Sequence, residues 1–197
     1  PLSIASVIAE KSPAHYQYKG RYMMTAVKSG LMIIDQHRAH IRILFDRYVE
    51  QLRRREVVAQ KILFPENIHL SASEEVTFSK ISAELQDLGF EISAMGGSSY
   101  AVQAVPAGLE GLNIPDLLRD MIASAQEKTT AIHDEINSTL ALTMARKAAI
   151  PMGQVLSNDE MENIFNSLFS SSNPNYTPDG KNILCILKQS EIEHLLE

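Results

Sequence analysis

A strand runs directly into a helix in the segment LMIIDQHRAHIRILFDRY, residues 31–48. Its first four residues are apolar, and apolar residues then recur at helical spacing over residues 41–52. This change of period predicts a strand, the junction residue Asp35 and an amphipathic helix that ends near Arg55. The preceding residues 21–27 are rich in β-branched and aromatic types and are followed by Lys-Ser-Gly, so we expect a β-hairpin here.

The rest of the chain alternates predicted helices and strands. Capping-box spacing marks helix starts at Ser71 and Ser157, and Gly89 ends the first of these helices. Periodicity and turn residues predict an extended segment at 60–70, a hairpin at 90–105, a helix after Pro115, a helix from Ile132 to Pro151, a strand at 183–187 and a helix from Ser190. This order predicts an α/β (α+β) fold class. The strand ILCIL does not alternate, so both of its faces should be covered, by helices on two sides or by a helix and a partner subunit.

Composition narrows the class of protein. The chain has 197 residues, 45% of them apolar, and a formal net charge of −6, which is typical of a globular domain and argues against binding of duplex DNA by bulk charge. A single cysteine predicts a reducing compartment. The longest apolar run has five residues, whereas a membrane span needs about 20. The first residue is Pro1, with no initiator Met and no visible targeting peptide, so we expect a fragment of a longer chain, with residues 1–15 as the end of a linker.

The densest polar cluster is DQHRAH, residues 35–40, where the strand gives way to the helix. Asp and His are metal-ligand and acid–base types, and functional groups often lie at strand ends. The simpler interpretation is that Asp35 caps the helix by accepting hydrogen bonds from its first N–H groups. A catalytic metal usually needs three protein donors, which this cluster does not supply alone. Spacing by itself therefore favours the cap.

Residues 31–48 resemble the entry to the C-terminal domain of the MutL mismatch-repair proteins, where a strand of the form glliDQHAAHER leads into a helix. Other segments resemble the same family in the same order, and together they extend over nearly the whole chain. These segments are QKILFP at 60–65 followed by SASEE, AVQAVPAGL at 101–109, TMARKAAIPMGQVLSNDEMENIFNSL at 143–168, and NPNYTPDGKNILCIL at 173–187.

The resemblance implies a dimerisation subdomain built from both chain ends, residues 16–60 plus 140–197, and a regulatory subdomain inserted at 61–139. It also implies a role: joining two protomers so that N-terminal ATPase arms, which this chain lacks, close over DNA. We therefore expect a bacterial, cytoplasmic and nucleoid-associated protein with no cofactor and no membrane contact. Its expected partners are a second copy of itself, the sliding clamp and other mismatch-repair proteins, with DNA contacted weakly and indirectly.

The homodimer is expected to form through apolar residues of the terminal strands and helices, in an isologous two-fold contact. The candidate interface residues are chosen only because their segments are rich in apolar side chains. They are Ile164, Phe165, Leu168, Ile183, Cys185 and Leu187.

Many members of the family also nick DNA with a bound metal, and this chain departs from their pattern. The pattern has glutamates where Ile41 and Asp46 stand, and its closing motif with cysteine and histidine corresponds to TPDGKN at 177–182. The donors that zinc prefers are missing there. The donors that remain are Asp35, His37, Asp46 and Asp179. We expect these positions to be vestigial, with no catalytic residue and no bound metal. The alternative is a metal-dependent DNA endonuclease in which Asp35, His37 and Asp46 hold the ion.

The segment QKILFP also resembles the short peptide by which repair proteins dock on the bacterial sliding clamp. Glutamine forms directed hydrogen bonds, and adjacent large apolar side chains suit an apolar cleft. The predicted contact residues are Gln60, Ile62, Leu63, Phe64 and Pro65. The alternative is that Ile62 and Phe64 alternate into a core and Pro65 turns the chain.

A third class of function, a ligand-sensing α/β domain, applies if the resemblance is accidental. Such domains often bind phosphates with a glycine-rich loop, and the chain has neither GxGxxG nor GxxxxGK[ST].

Overall fold

A computed structural model describes residues 14–56, 58–109, 111–128 and 133–197, so most of the predicted linker end at 1–15 lies outside the described residues. The α+β fold class is confirmed. The strands are β1 (Tyr16–Tyr18), β2 (Tyr22–Val27), β3 (Gly30–Asp35), β4 (Ala59–His69), β5 (Glu91–Gly96), β6 (Ser99–Pro106) and β7 (Leu184–Lys188). The helices are α1 (Gln36–Arg54), α2 (Ala72–Leu88), α3 (Ile114–Gln126), α4 (His133–Ala148), α5 (Asn158–Phe169) and α6 (Gln189–Leu196).

The chain divides into two compact units. The first contains the described residues up to Ile43 together with Ala149–Glu197, and the second contains Leu44–Ala148. The boundaries thus fall within α1 and at the end of α4, whereas the resemblance put them near 60 and 140. The assignment of a dimerisation and a regulatory role to these parts stays a prediction.

The first unit is built on a four-stranded antiparallel sheet with the order β1-β2-β3-β7. The predicted hairpin is confirmed, with Val27 paired to Gly30 across the turn. One face of this sheet, which we call the inner face, carries Met23, Met32 and Ile34, each 2% exposed or less. These side chains form one core with the apolar stripe of α5.

Gly30 allows β3 and β7 to come together. Its φ is +148°, and a Cβ atom at this position would lie 2.1 Å from the Leu187 carbonyl oxygen. Only glycine permits this approach, because any larger residue would collide with the backbone of β7.

Four residues predicted as dimer contacts belong instead to the core of this protomer. Ile164, Phe165, Leu168 and Ile183 are all buried in the cluster beneath the inner face. An apolar stripe at helical spacing indicates that a face is covered, and here the covering element is the protomer's own sheet. The prediction was therefore wrong for these four residues.

The second unit pairs a three-stranded antiparallel sheet, in the order β4-β6-β5, with helices α2, α3 and α4. Both predicted capping boxes are present, at Ser71 with Glu74 in this unit and at Ser157 with Glu160 in the first. Gly89 ends α2 in the left-handed region, as predicted. No helix among the described residues is both long enough and apolar enough to cross a membrane.

The capping box of α5 makes stability depend on pH. The Ser157 N–H donates to the Glu160 carboxylate at 2.7 Å, and this bond together with the Ser157 hydroxyl lowers the pKa of Glu160 below its usual 4.5. A lowered carboxyl pKa stabilises the fold above the unfolded value, and the contribution disappears as pH falls through the folded value. We expect Glu160→Gln to reduce the free energy of unfolding at neutral pH, and the difference from the unaltered protein to vanish in acid, as measured by urea denaturation.

Glu91→Gln is the control, since this exposed glutamate of β5 belongs to no capping box. A difference between the Glu160→Gln and unaltered proteins that stays constant below pH 4.5 would contradict the prediction.

Candidate functional site

The junction between β3 and α1 is held by a buried carboxylate and a buried amide. Asp35 is 6% exposed, and its Oδ1 accepts the Arg38 N–H at 3.0 Å, so this side chain caps α1. The Gln36 side chain donates to the Gly20 carbonyl at 2.8 Å and to the Gln154 carbonyl at 3.1 Å. These bonds tie the start of the helix to the turn after β1 and to the segment before α5.

Two guanidinium groups face the capping carboxylate. Asp35 Oδ2 lies 3.5 Å from Arg21 Nε and 3.7 Å from Arg38 Nε. Arg38 also donates from Nη1 to the Asn182 carbonyl at 2.7 Å. Both oxygens of the carboxylate therefore have partners, a backbone N–H group and two cationic side chains.

Two histidines of α1 bind the backbone C=O and N–H groups of one residue, Ile150. His37 Nδ1 donates to the Ile150 carbonyl oxygen at 2.7 Å, while the Ile150 N–H donates to His40 Nδ1 at 2.9 Å. These bonds hold the segment after α4 against α1. The His37 ring is oriented by this structural contact.

The loop before β7, which contains residues 177–182, is fixed by hydrogen bonds. The Thr177 hydroxyl donates to Asp179 Oδ1 at 2.7 Å and accepts the Lys181 N–H at 2.9 Å. Arg42, which is 7% exposed, donates from Nε to the Tyr176 carbonyl at 2.9 Å. A buried guanidinium from α1 thus supports this loop.

These residues do not fit a metal. Within the described parts of the chain, no group of three or more His, Cys, Asp or Glu side chains is placed to hold an ion. Asp35 and His37 have the partners given above, and Asp46 lies further along α1, in the second unit. Thr177 and Asp179 supply oxygens only, where zinc prefers thiolate and imidazole.

The second candidate site is the face of the four-stranded sheet opposite α5, which we call the outer face. Strand register places on it Tyr16, Tyr18, Tyr22, Met24, Ala26, Leu31, Ile33, Cys185 and Leu187. All nine side chains are half-buried or exposed. An apolar surface of this extent on a sheet is typical of an interaction site. Two arrangements were predicted for β7: helices on both faces, or a helix on one face and a partner subunit on the other. The exposed Cys185 fits the second arrangement.

The third candidate site is a bulge in β4. The ladder to β6 is irregular between Lys61 and Glu66, and the residues between them include Leu63, 92% exposed, and Phe64, 85% exposed. The alternative in which Phe64 enters a core is therefore wrong. Two adjacent large apolar side chains projecting from an edge strand are unusual unless a partner covers them.

Comparison with known proteins gives the family. The family model described as the MutL C terminal dimerisation domain matches residues 15–156. The chain belongs to this MutL family. It is 50% identical to the DNA mismatch repair protein MutL of Phocaeicola vulgatus over 98% of the chain and 31% of that protein, and 50% identical to that of Bacteroides fragilis over 95% and 30%. It is also 34% identical to MutL of Chlorobaculum tepidum over 96% of the chain and 30% of the relative. The chain thus spans about three-tenths of the length of these MutL proteins.

Sequence reasoning missed the arginines that organise the junction in this MutL domain. Helical spacing puts Arg42 on the polar side of α1, yet it is buried against the loop before β7. Arg38 stands where the family pattern DQHA has alanine, and this departure was the one available signal. Arg21 gave none, because its contact with Asp35 depends on the register of β2 with β3.

Asp35 is predicted to act as a structural cap. Asp35→Ala removes both the cap and the counter-charge of the two arginines, and we expect it to lower the free energy of unfolding by about 2 kcal/mol. Asp35→Asn keeps an acceptor for the Arg38 N–H and should cost about half as much. Urea denaturation measures both changes. Mn²⁺ should leave the midpoint of the unaltered protein unchanged, and a rise in midpoint that Asp35→Asn abolishes would identify Asp35 as a metal ligand.

Proposed function

We propose that this chain is the homodimerising part of a bacterial DNA mismatch-repair protein, and that two copies meet through the outer face. The observation that carries the proposal is the distribution of apolar residues over the two faces of one sheet. The inner face forms the protomer core with α5, while the outer face presents apolar side chains at its surface. The description of the matching family as a dimerisation domain supports this function.

The geometry of the outer face suits an isologous contact. In a two-fold dimer each surface meets its own copy, and two apolar sheet faces can pack against each other in this way. A stable dimer buries about 800 Å² on each partner. Leu195 and Leu196 of α6, the helix that contacts β3 and β7, are also exposed apolar residues of this unit. Of the interface residues chosen from the sequence, Cys185 and Leu187 remain in the proposal.

In the proposed function, the dimer joins the remaining parts of two MutL chains. The relatives are more than three times as long as this chain, and we propose that the whole protein carries an ATPase arm N-terminal to these residues. Two arms joined at this domain would close over DNA. The domain then acts mechanically, in the cytoplasm at the nucleoid, with other mismatch-repair proteins as partners.

Leu187→Glu tests the interface. A carboxylate buried between two apolar sheets has no partner, so we expect the dimer dissociation constant to rise about 30-fold or more. Sedimentation equilibrium should then find a mass near 21.9 kDa at concentrations where the unaltered chain sediments as a dimer. Leu63→Glu, an exposed leucine of β4, is the matched control and should remain dimeric. An unaltered chain that is monomeric at micromolar concentration would contradict the proposal.

We also propose that the bulge in β4 docks on the sliding clamp. The exposed Leu63 and Phe64 are the side chains that would enter an apolar cleft, and Gln60 precedes them on the same strand. Ile62 is half-buried and packs partly against the protein, while Pro65 is exposed beside Leu63 and Phe64. A preformed extended segment loses little entropy on binding, which favours this mode of recognition.

Replacing Gln60, Leu63 and Phe64 together by Ala should abolish binding to the purified bacterial clamp in surface plasmon resonance. The dimer should persist in these variants, since the bulge belongs to the second unit. Val76→Ala, an exposed apolar residue of α2, is the control and should bind as the unaltered chain does. Clamp binding that survives the triple change would remove this proposal.

An endonuclease is not proposed, because Asp35 and His37 already bind backbone groups and arginines. Nicking of supercoiled plasmid in Mn²⁺ that is lost in Asp35→Asn would establish that activity and overturn the purely mechanical role.

A further inference from the structure

One side of helix α2 changes from open to buried along its length. Residues at the spacing i, i+3, i+4, i+7 and i+8 lie on the same side of a helix. On α2 these residues line a groove: Ser73, Val76, Thr77, Lys80 and Ile81. Further along the same side, Glu84 and Leu88 are 5% and 0% exposed. The protein therefore covers the C-terminal half of this side and leaves the N-terminal half open.

Helices α3 and α4 form the rest of the groove. Helix α3 contacts both α2 and α4. Its end supplies Ala125 and Gln126, while Lys128 and Ile136 complete the described lining, and the groove has a volume of about 500 Å³. The rise of α2 between residues 73 and 81 is about 12 Å. The groove is therefore long enough for about two turns of a second helix.

The base of the groove is apolar. Ile81 and Ala125 are 1% and 8% exposed, and Ile136 is half-buried. Val76 lines the same groove and is 58% exposed. A helix that placed apolar side chains over these residues would remove Val76 from water, which favours association.

The charged side chains of the groove have one sign. Lys80 and Lys128 are exposed, and neither forms an ion pair with another described residue. Elsewhere in this unit Lys147 Nζ lies 2.7 Å from Asp120 Oδ2, so its charge has a partner within the chain. The two groove lysines therefore give this surface a local positive charge on a chain whose net charge is −6.

The carboxylates of α2 near the groove are bound elsewhere. Glu74 accepts the Ser71 N–H at 2.7 Å in the capping box. Glu75 accepts the Tyr100 hydroxyl at 2.9 Å and the Ser98 hydroxyl at 3.0 Å. No carboxylate belongs to the described lining, so a partner that complements the groove carries negative charge.

We infer that this groove, the α2–α4 groove, binds an acidic amphipathic helix of another protein. A helix bound in a groove inserts apolar side chains at i, i+3, i+4 and i+7, which two turns of open groove accept. Carboxylates on either side of that apolar stripe would pair with Lys80 and Lys128. An extended peptide usually binds by pairing with the edge of a sheet, and three helices offer no such edge. The groove lies within the second unit, so its occupant is distinct from the second copy at the outer face.

Fluorescence anisotropy with a labelled helical peptide and the 197-residue chain tests the groove. The probe has about 15 residues, with leucine at i, i+3, i+4 and i+7 and with glutamate and alanine elsewhere. The matched peptide has lysine in place of each glutamate and should bind at least about tenfold more weakly, because it meets two cations.

Two variants of the chain should weaken binding of the acidic peptide. Val76→Glu places a carboxylate over the apolar base and should reduce affinity about tenfold or more. Lys80→Gln should reduce affinity about threefold and make it less dependent on salt. Both positions are exposed, so the fold should persist. Ser79→Glu is the matched control, because this exposed residue of α2 lies outside the lining.

Three results in the peptide assay would overturn the inference. They are no binding at about 1 mM acidic peptide, equal affinity for the lysine peptide, and an equal loss in Ser79→Glu. A sedimentation mass above that of a dimer, lost in Val76→Glu, would assign the groove to another copy of the chain and also overturn it. Replacing Gln60, Leu63 and Phe64 by Ala should leave peptide affinity unchanged, which separates this test from the proposed docking on the clamp.

Discussion

The four-stranded sheet has apolar side chains on both faces. One face is covered by helix α5 of the same chain and forms the protomer core. Met23, Met32 and Ile34 pack with α5, whereas Leu31, Ile33 and Leu187 remain at the surface on the other side. Apolar area kept out of water is the dominant favourable term in association, so the second face has a strong tendency to meet a partner. The close pairing of β3 with β7, which Gly30 permits, joins the strands β1 to β3 and the distant strand β7 in one sheet.

The polar centre at the end of β3 holds several segments of the first unit in one place. Asp35 caps α1 and lies near two guanidinium groups, while His37 and His40 bind the backbone C=O and N–H groups of Ile150. A buried carboxylate needs such partners, because an unpaired charge is expensive to desolvate. A backbone N–H group and two guanidinium groups supply these partners to Asp35.

Much of the fold could be predicted from the sequence, because the signals were local. Period changes located the hairpin and α1, and capping boxes located two helix starts. The errors concern what covers an apolar surface. Phe165 and Ile183 were assigned to a partner and lie in the core, while Phe64 has the alternation of a core residue and projects from a bulge. Periodicity shows that one face of a helix or strand is apolar. Only the tertiary arrangement decides which element packs against that face. The arginine contacts depend on register between distant strands, so no local pattern contained them.

Cys185 offers the most direct test that two copies meet through the outer face. It is the one cysteine of the chain and is exposed in the protomer. The measurement is the rate of its reaction with a maleimide as a function of protein concentration, beside the sedimentation mass of the same samples. Burial of Cys185 in the interface predicts that the rate falls over the concentration range in which the mass doubles. A mass that doubles while the rate of thiol modification stays constant would place the dimer contact elsewhere and contradict the account.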